Sequence, residues 1–464
     1  MSLLNIKLDK SLQTSNWNKK TLSAQQLQYA ATDAAIVLPL HETLIFLLEK
    51  ANLFSTALDE FNCLQFVAQM ELNGLKLDLE QWHSLGIELQ QQQTLLSETI
   101  SLQLELEPKP VQLSLLEEYA PQQTTSINLR SPQQVIAALK KIGISVNSTD
   151  ASELILRAEK HPIIRNLLDY RSITTLMSTF IEGFPKYIHA ISGRVHGHWF
   201  QMGTKSGRFS CHRANLTNIP KDTRFRRCFV ATEGNVLIKA DYSQIELRLM
   251  AKASGDLLMQ LAYQKGEDLH KLTAAQLFNK PVAQITDSER YLGKIVNFGF
   301  IYGMGVKKFL VCTAFNYGIY LSAAEASRFR KTFFKTYTGI AAYHKKKRKR
   351  WQQGTRVSRT LDGRRRIWSL TSGPTLNELL NNPIQGTNAG ILKRAIALLG
   401  GNLLEVYPSI LLVAVIHDEI VLECPRDLAQ NAAKILVRCM KQAAKPVLSP
   451  IPVQVDVKIC KHWS

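Results

Sequence analysis

The apolar and polar positions divide the chain into a helical first part and a second part in which short strands alternate with helices. Apolar residues recurring at helical spacing predict amphipathic helices over residues 59–72, 79–105, 132–142 and 152–172. The first should stop at Leu72 or Asn73, since Asn73-Gly74 makes a sharp turn and Gly74 can take positive φ. Ser131 and Pro132 read as N-cap and first helical residue of the third. Pro108, Pro110, Pro121 and the Gln/Thr/Ser cluster at 122–126 mark loops. From Ser192 the pattern shifts to short strands and turns, with hydroxyls, glycines and arginines interleaved. Thr204 and Arg208 are among them, and such residues suit phosphates and groove edges.

Two strand signals end in acids. Leu237-Ile238-Lys239-Ala240 runs into Asp241 with an amphipathic segment directly behind, so a buried strand should deliver Asp241 to the mouth of a helix. Far downstream, the apolar run 411–416, His417-Asp418-Glu419 and a second apolar run predict a hairpin with Asp418 at its tip. Two carboxylates on β scaffolding can share divalent cations for in-line phosphoryl transfer, which wants metals about 3.5–4 Å apart. Mg²⁺ suits the pair, because it takes a few carboxylates plus water and phosphate oxygens. The plain alternative is that Asp241 caps a helix and Asp418 sits in a turn.

A third signal is the helix expected over residues 287–302. Arg290, Lys294, Phe298 and Tyr302 recur every four residues, drifting about 40° per step, so they form one stripe. Two cations at one end and two aromatics at the other fit a nucleoside triphosphate. A core helix would place aliphatic residues there, and a solvated face would not align two rings. Farther on, Lys345 to Arg350, Arg356, Arg359 and Arg364 to Arg366 favour duplex phosphates and a steep salt dependence. Asn381 to Thr387 should lead into a helix reaching about Gly400, with its Asn and Gln placed to read base or sugar edges.

Length and charge sharpen this. At 464 residues the chain should form about three domains. Its net charge of +19 is uneven: residues 1–200 carry 16 Lys/Arg against 20 Asp/Glu, and residues 201–464 carry 41 against 18. The basic part is the part with both acids, which points to a polyanion partner. Seven cysteines form no CxxC pair, as expected of reduced thiols in an intracellular, soluble protein, cytoplasmic if bacterial or phage. No secretory signal is visible, and the apolar stretch 36–48, interrupted by His41 and Glu42, is too short to span a bilayer. The expectation is a monomer with no membrane partner.

Near the N-terminus, Gln28-Tyr29-Ala30-Ala31-Thr32-Asp33 resembles the last motif, Tyr-x3-Asp, of the DEDD family of 3′–5′ exonucleases. Upstream of Tyr29 the only acidic residue is Asp9, so the segment reads as a truncated remnant with Tyr29 and Asp33 structural, the alternative being a separately encoded partner that supplies the other half. Over residues 59–464 the chain resembles family A DNA polymerases, the group of bacterial DNA polymerase I. The Asp241 stretch is similar to motif A, residues 290–303 (RYLGKIVNFGFIYG) to motif B and residues 415–423 (VIHDEIVLE) to motif C; residues 71–78, 360–366 and 382–393 also match.

The resemblance implies an α+β, multidomain right-hand fold with an antiparallel β palm, helical thumb and helical fingers. Its parts would be an exonuclease-like remnant (1–58), thumb (59–190), palm (191–262 and 371–464) and fingers (263–370). It implies template-directed addition of dNTPs to the 3′-OH of primer-template DNA, without proofreading. Asp241, Asp418 and the Tyr242 carbonyl would bind two Mg²⁺ ions, for which Mn²⁺ can substitute. Arg290, Lys294 and His270 would hold the triphosphate, with Lys294 as proton donor to pyrophosphate. Phe298 would stack by the incoming sugar, and Tyr302 would sit beside the template base. Glu246 would reject ribose, and Gln244 would hydrogen-bond near the sugar. Thr204, Arg208, Asn381 and Gln385 would contact DNA, and His417 the primer end. Thr217 stands where the family often has Gln, and Asn377 where it often has Arg. Two other readings are a catalytically idle DNA-binding relic and a single-subunit polymerase using ribonucleotides; the retained acids and stripe weigh against the first, and Glu246 against the second.

Overall fold

The computed structural model describes residues 3–104 and 127–463. The loops expected around Pro108, Pro110, Pro121 and residues 122–126 lie outside the described residues.

Helices α1 (Ala24–Ala35) and α2 (Val37–Lys50) meet at Ile36. They make one helical run of 27 residues, Ala24–Lys50, whose most apolar 18-residue stretch has a mean hydropathy of 1.5, long and apolar enough by length and composition to cross a membrane. The stretch 36–48 is therefore only the apolar second half of a longer helical run. Helix α3 (Phe54–Asn73) ends where expected, with Gly74 at φ 59°; a Cβ there would lie 2.9 Å from His196 and the Val195 carbonyl. Helix α4 (Leu79–Gln103) packs on Pro162–Leu176 and carries Trp82 into a buried aromatic group with Phe184, Phe225 and Phe229.

Two expectations need correction. The helix over 152–172 is broken: a short turn, Ala151–Leu154, gives way to the helix Pro162–Leu176. Pro162 is the cause, because it has no N–H and holds His161 extended, so it can only begin a helix. Conversely, Asn381 to Thr387 do not precede a helix. They lie inside a longer one, Leu376–Leu399, opened by a capping box between Thr375 and Glu378 and tolerating Pro383.

The chain's larger core surrounds a four-stranded antiparallel sheet. In chain order its strands are β1 (Asn235–Tyr242), β2 (Leu411–Ile416), β3 (Glu419–Pro425) and β4 (Val455–Cys460), arranged β4-β1-β3-β2. The middle strands are apolar and buried, as strands covered on both faces must be. The helices Leu376–Leu399 and Ala429–Leu448 pack on each other beside the sheet, and the second also contacts β1 and β4. A separate apolar cluster, with Ile100, Leu139, Ile164 and Leu167, forms the core of the region expected as the thumb.

Glu423, the last residue of the motif C stretch, is fully buried on β3, where it accepts from Arg194 at 2.6 Å, from the Thr232 N–H and hydroxyl, and from Asn235. It ties the sheet to the strand Arg194–Val195.

Candidate active site

Strand register brings the two distant acids together. Asp241 on β1 is the cross-strand partner of Glu419 on β3, and the Tyr242 N–H donates to the Asp418 carbonyl at 3.4 Å. Asp418 sits in the two-residue turn between β2 and β3, with His417 in the left-handed region at φ 59°. Asp241 does not cap a helix: Gln244, at φ 54°, precedes the helix Ile245–Ser254 and makes no side-chain cap bond.

The electrostatics are those of crowded carboxylates. Hydration lost to the surrounding protein, then repulsion from Asp418, Glu419 and Asp456, pushes the Asp241 carboxyl up to about 7, against the pull of Lys221. The repulsion among these carboxylates is the part that an added cation would relieve. Burial also raises the Asp418 carboxyl, while Arg208 and Lys221 oppose the rise. Glu419, which adds to the negative charge on both acids, accepts from the Trp463 indole N–H at 2.6 Å and lies 3.9 Å from Arg226. Among the described residues no group of three His, Cys, Asp or Glu is arranged to hold a metal. Two carboxylates beside a backbone carbonyl are an all-oxygen donor set, and it fits a hard divalent cation that keeps water or phosphate oxygens. The Tyr242 side chain has another task, since its hydroxyl is buried and donates to the Met440 carbonyl at 2.7 Å.

The stripe forms as expected on the helix Asp287–Ile301, with Tyr302 at its C-cap. Its start is set by a capping box between Thr286 and Glu289. Lys294 is exposed, Phe298 is half-buried and packs near His270 with ring centroids 6.0 Å apart, and Arg290 pairs with Asp268 at 2.6 Å. His270 is 2% exposed, and its Nδ1 lies 3.0 Å from the Asn297 amide. Burial lowers its pKa to about 4, so the ring is neutral near pH 7 and offers a hydrogen bond rather than a charge.

Glu246, in the first turn of Ile245–Ser254, joins the stripe to Arg208. One carboxylate oxygen accepts from Arg208 and the other from the Tyr302 hydroxyl. Gln244 accepts from the Tyr263 hydroxyl at 3.1 Å. Thr204 is exposed in a turn closed by its own hydroxyl, which accepts from the Arg208 N–H at 3.0 Å. Asn381 and Gln385 are half-buried on Leu376–Leu399, one turn apart, and the Asn381 Oδ1 is buried without a partner. Lost hydration and the cations Lys221, Arg208 and Arg226 lower the pKa of His417.

Sequence reasoning missed three supports. Arg248 donates to the Ser243 and Pro452 carbonyls and stacks 4.3 Å above Tyr263, fixing the turn behind Asp241. The charge of Lys221 favours the ionised form of both acids, and Asp268 holds Arg290 while capping its own helix. Asp268 alone carried a local signal, as an acid opening a helix.

Comparison with known proteins agrees with this geometry. The profile of DNA polymerase family A matches residues 101–464, and that of a 3′–5′ exonuclease matches residues 1–49. DNA polymerase I of Aquifex aeolicus is 32% identical over 486 residues, covering 100% of this chain and 80% of that protein. The thermostable DNA polymerase I of Thermus aquaticus is 32% identical over 409 residues, 86% of this chain but 46% of the relative, so the chain spans about half the length of that protein. The POL domain of Pol1 from M. smegmatis, in complex with DNA primer-template and dNTP, superposes with a TM-score of 0.77 at 27% identity, over 93% of this chain and 74% of that one. With the family profile running through the strand that carries Asp241 and the hairpin that carries Asp418, the chain belongs to DNA polymerase family A and is a DNA-directed DNA polymerase.

Proposed function

We propose that the chain extends a primer 3′-OH along a DNA template through Asp241, Asp418 and the Tyr242 carbonyl, which together hold two Mg²⁺ ions. Ions held by these residues would supply Lewis-acid chemistry, activating a hydroxyl nucleophile and offsetting phosphate charge. The chain's own residues position the rest. Arg290 and Lys294 bind the triphosphate, neutral His270 adds a hydrogen bond, and Lys294 gives its proton to the departing pyrophosphate. Phe298 packs against the sugar and Tyr302 stands at the insertion position.

Glu246 is held by Arg208 and Tyr302 in a single place. A carboxylate so fixed leaves no room for a 2′-hydroxyl, which favours dNTPs over ribonucleotides. Gln244 borders the sugar, while Thr204, Arg208, Asn381, Gln385 and His417 contact the duplex and primer end. The basic helix Thr338–Gln352, whose Lys345 to Arg350 make no ion pair with an acid among the described residues, adds phosphate contacts.

The observation that carries the reading is the pairing of β1 with β3, which sets Asp241 beside Asp418. Extension of a labelled primer-template with each dNTP and each NTP, with Mg²⁺, Mn²⁺ or neither, tests it. Templated, dNTP-selective and cation-dependent extension is expected, with no shortening of a mismatched primer when dNTPs are withheld.

A further inference from the structure

Lys393 lies on the helix Leu376–Leu399 with none of its side chain exposed, and the chemistry described above does not use it. Burial lowers its pKa, and the nearby Glu60 carboxylate opposes the fall. The ammonium donates to Glu60 on α3 at 2.6 Å and to the Gly207 carbonyl at 2.8 Å, with the Phe209 ring 5.6 Å away. Glu60 is itself a junction. Its carboxylate also accepts from Arg364, on the connection between the strands Val357–Arg359 and Arg365–Ile367, and from the Gln201 amide, which donates to the Glu60 carbonyl at 2.8 Å as well. An ion pair taken out of water adds little stability over apolar groups of the same volume. What it adds here is position.

The carbonyl that Lys393 holds belongs to the peptide group between Gly207 and Arg208. The N–H of that same planar group donates to the Thr204 hydroxyl at 3.0 Å, so both polar ends of one amide are fixed. The turn around it has little play. Gly207 has φ 85° and donates to the Thr204 carbonyl at 2.9 Å, and a Cβ on it would meet the Arg364 guanidinium at 3.4 Å. From the other side Gly386 approaches so closely that a Cβ there would lie 3.1 Å from the Ser206 carbonyl. Arg208 therefore leaves the turn in a set direction, and its guanidinium ends on the Glu246 carboxylate that the Tyr302 hydroxyl shares.

We propose that Lys393 is a positioning residue for sugar selection: held by Glu60, its ammonium fixes the Gly207–Arg208 peptide group, so that Arg208 keeps Glu246 in the place a 2′-hydroxyl would need. The inference rests on the proposed role of Glu246 and adds to it a buried residue that acts from behind the gate.

The test uses the full 464-residue chain and reads the ratio of kcat/KM for dATP to that for ATP, in single-nucleotide insertion opposite template T. Lys393→Met should lower the ratio by roughly three- to tenfold. In a Glu246→Ala background the same substitution should lower it no further, because the group it positions is gone. Arg394→Met is the control for general loosening, since it breaks the adjacent ion pair between the same two helices, with Asp59, and leaves the turn alone. It should lower the melting temperature and keep the wild-type ratio. Should Lys393→Met fail to fold, Thr204→Val decides: at an exposed position it frees the other end of the same amide, and it should lower the ratio in the same way. A wild-type ratio in the deciding variant would overturn the proposal. So would an equal fall on the Glu246→Ala background, or a fall as large in Arg394→Met. An unchanged ratio in Glu246→Ala alone would sink the gate and this inference with it, whereas a lowered ratio there beside a wild-type ratio in Lys393→Met sinks this inference only.

Discussion

Glu246 offers the sharpest perturbation, because the structure gives its carboxylate two partners and one location. Its side chain is 17% exposed and that of Arg208 is 29% exposed. Glu246→Ala strips the acceptor from a partly buried guanidinium and from the Tyr302 hydroxyl together. Hydrogen bonds to charged groups contribute about 1.5–3 kcal/mol, and the residual exposure of this pair places the loss toward the lower end. The effect on sugar choice is separate. Crowding one extra hydroxyl against a fixed side chain costs about 1–3 kcal/mol, so the variant should lose roughly 5- to 150-fold of its preference for dATP over ATP. Glu246→Gln keeps the bulk and should keep most of the preference. Tyr302→Phe, which frees one carboxylate oxygen, should fall between the two. The assay is single-nucleotide insertion opposite template T, with kcat/KM measured for dATP and ATP in each variant. An unchanged ratio in Glu246→Ala would refute the gate, and a collapse in Glu246→Gln would show that charge rather than bulk selects the sugar.

Other expectations draw on other parts of the molecule. Because the Asp241 carboxyl titrates near 7 when folded and near 3.8 as an isolated group, the cation-free fold retains a proton that the unfolded chain gives up. Its stability should therefore rise as pH falls through about 7 and level off below about 4. Thermal melts in EDTA should show Asp241→Asn stabilising at pH 8 and nearly silent at the acid end; equal gains at every pH would contradict the assignment. Arg194→Met strands the fully buried Glu423 carboxylate and should cost about 3–5 kcal/mol, part of which Arg194→Met/Glu423→Leu restores; urea denaturation decides, and a single variant as stable as wild type would count against the tie. Gly293→Ala would put a Cβ 2.3 Å from the His270 carbonyl and force its helix off Leu269–Phe278. A several-fold rise in KM for dNTP with unchanged duplex affinity is expected, and an unaltered KM would detach that packing from nucleotide binding.

What could be foreseen from the sequence was what is local. An apolar run that ends in an acid announces a strand edge, so Asp241 and the hairpin tip at Asp418 were visible, as was the four-residue period of Arg290, Lys294, Phe298 and Tyr302. Pro162 is itself the local signal of the break, since its ring forbids the interior of a helix running through it. The helix Leu376–Leu399 is hidden for the opposite reason: Pro383 and two asparagines argue against a helix locally, and burial of Ile384, Ile391 and Leu392 overrides them. The holding of Glu246 by Arg208 and Tyr302 spans 38 and 56 residues, and no periodicity carries contacts of that kind. The same holds for Arg248 against Pro452, 204 residues apart.

The most direct measurement is single-turnover extension of a labelled primer-template by the wild-type chain, Asp241→Ala and Asp418→Ala across a Mg²⁺ titration, with duplex affinity measured in parallel by fluorescence anisotropy. The account predicts template-directed extension that rises with Mg²⁺ in the wild type and is lost in both variants at nearly unchanged duplex affinity. Extension by either variant at close to the wild-type rate would contradict it.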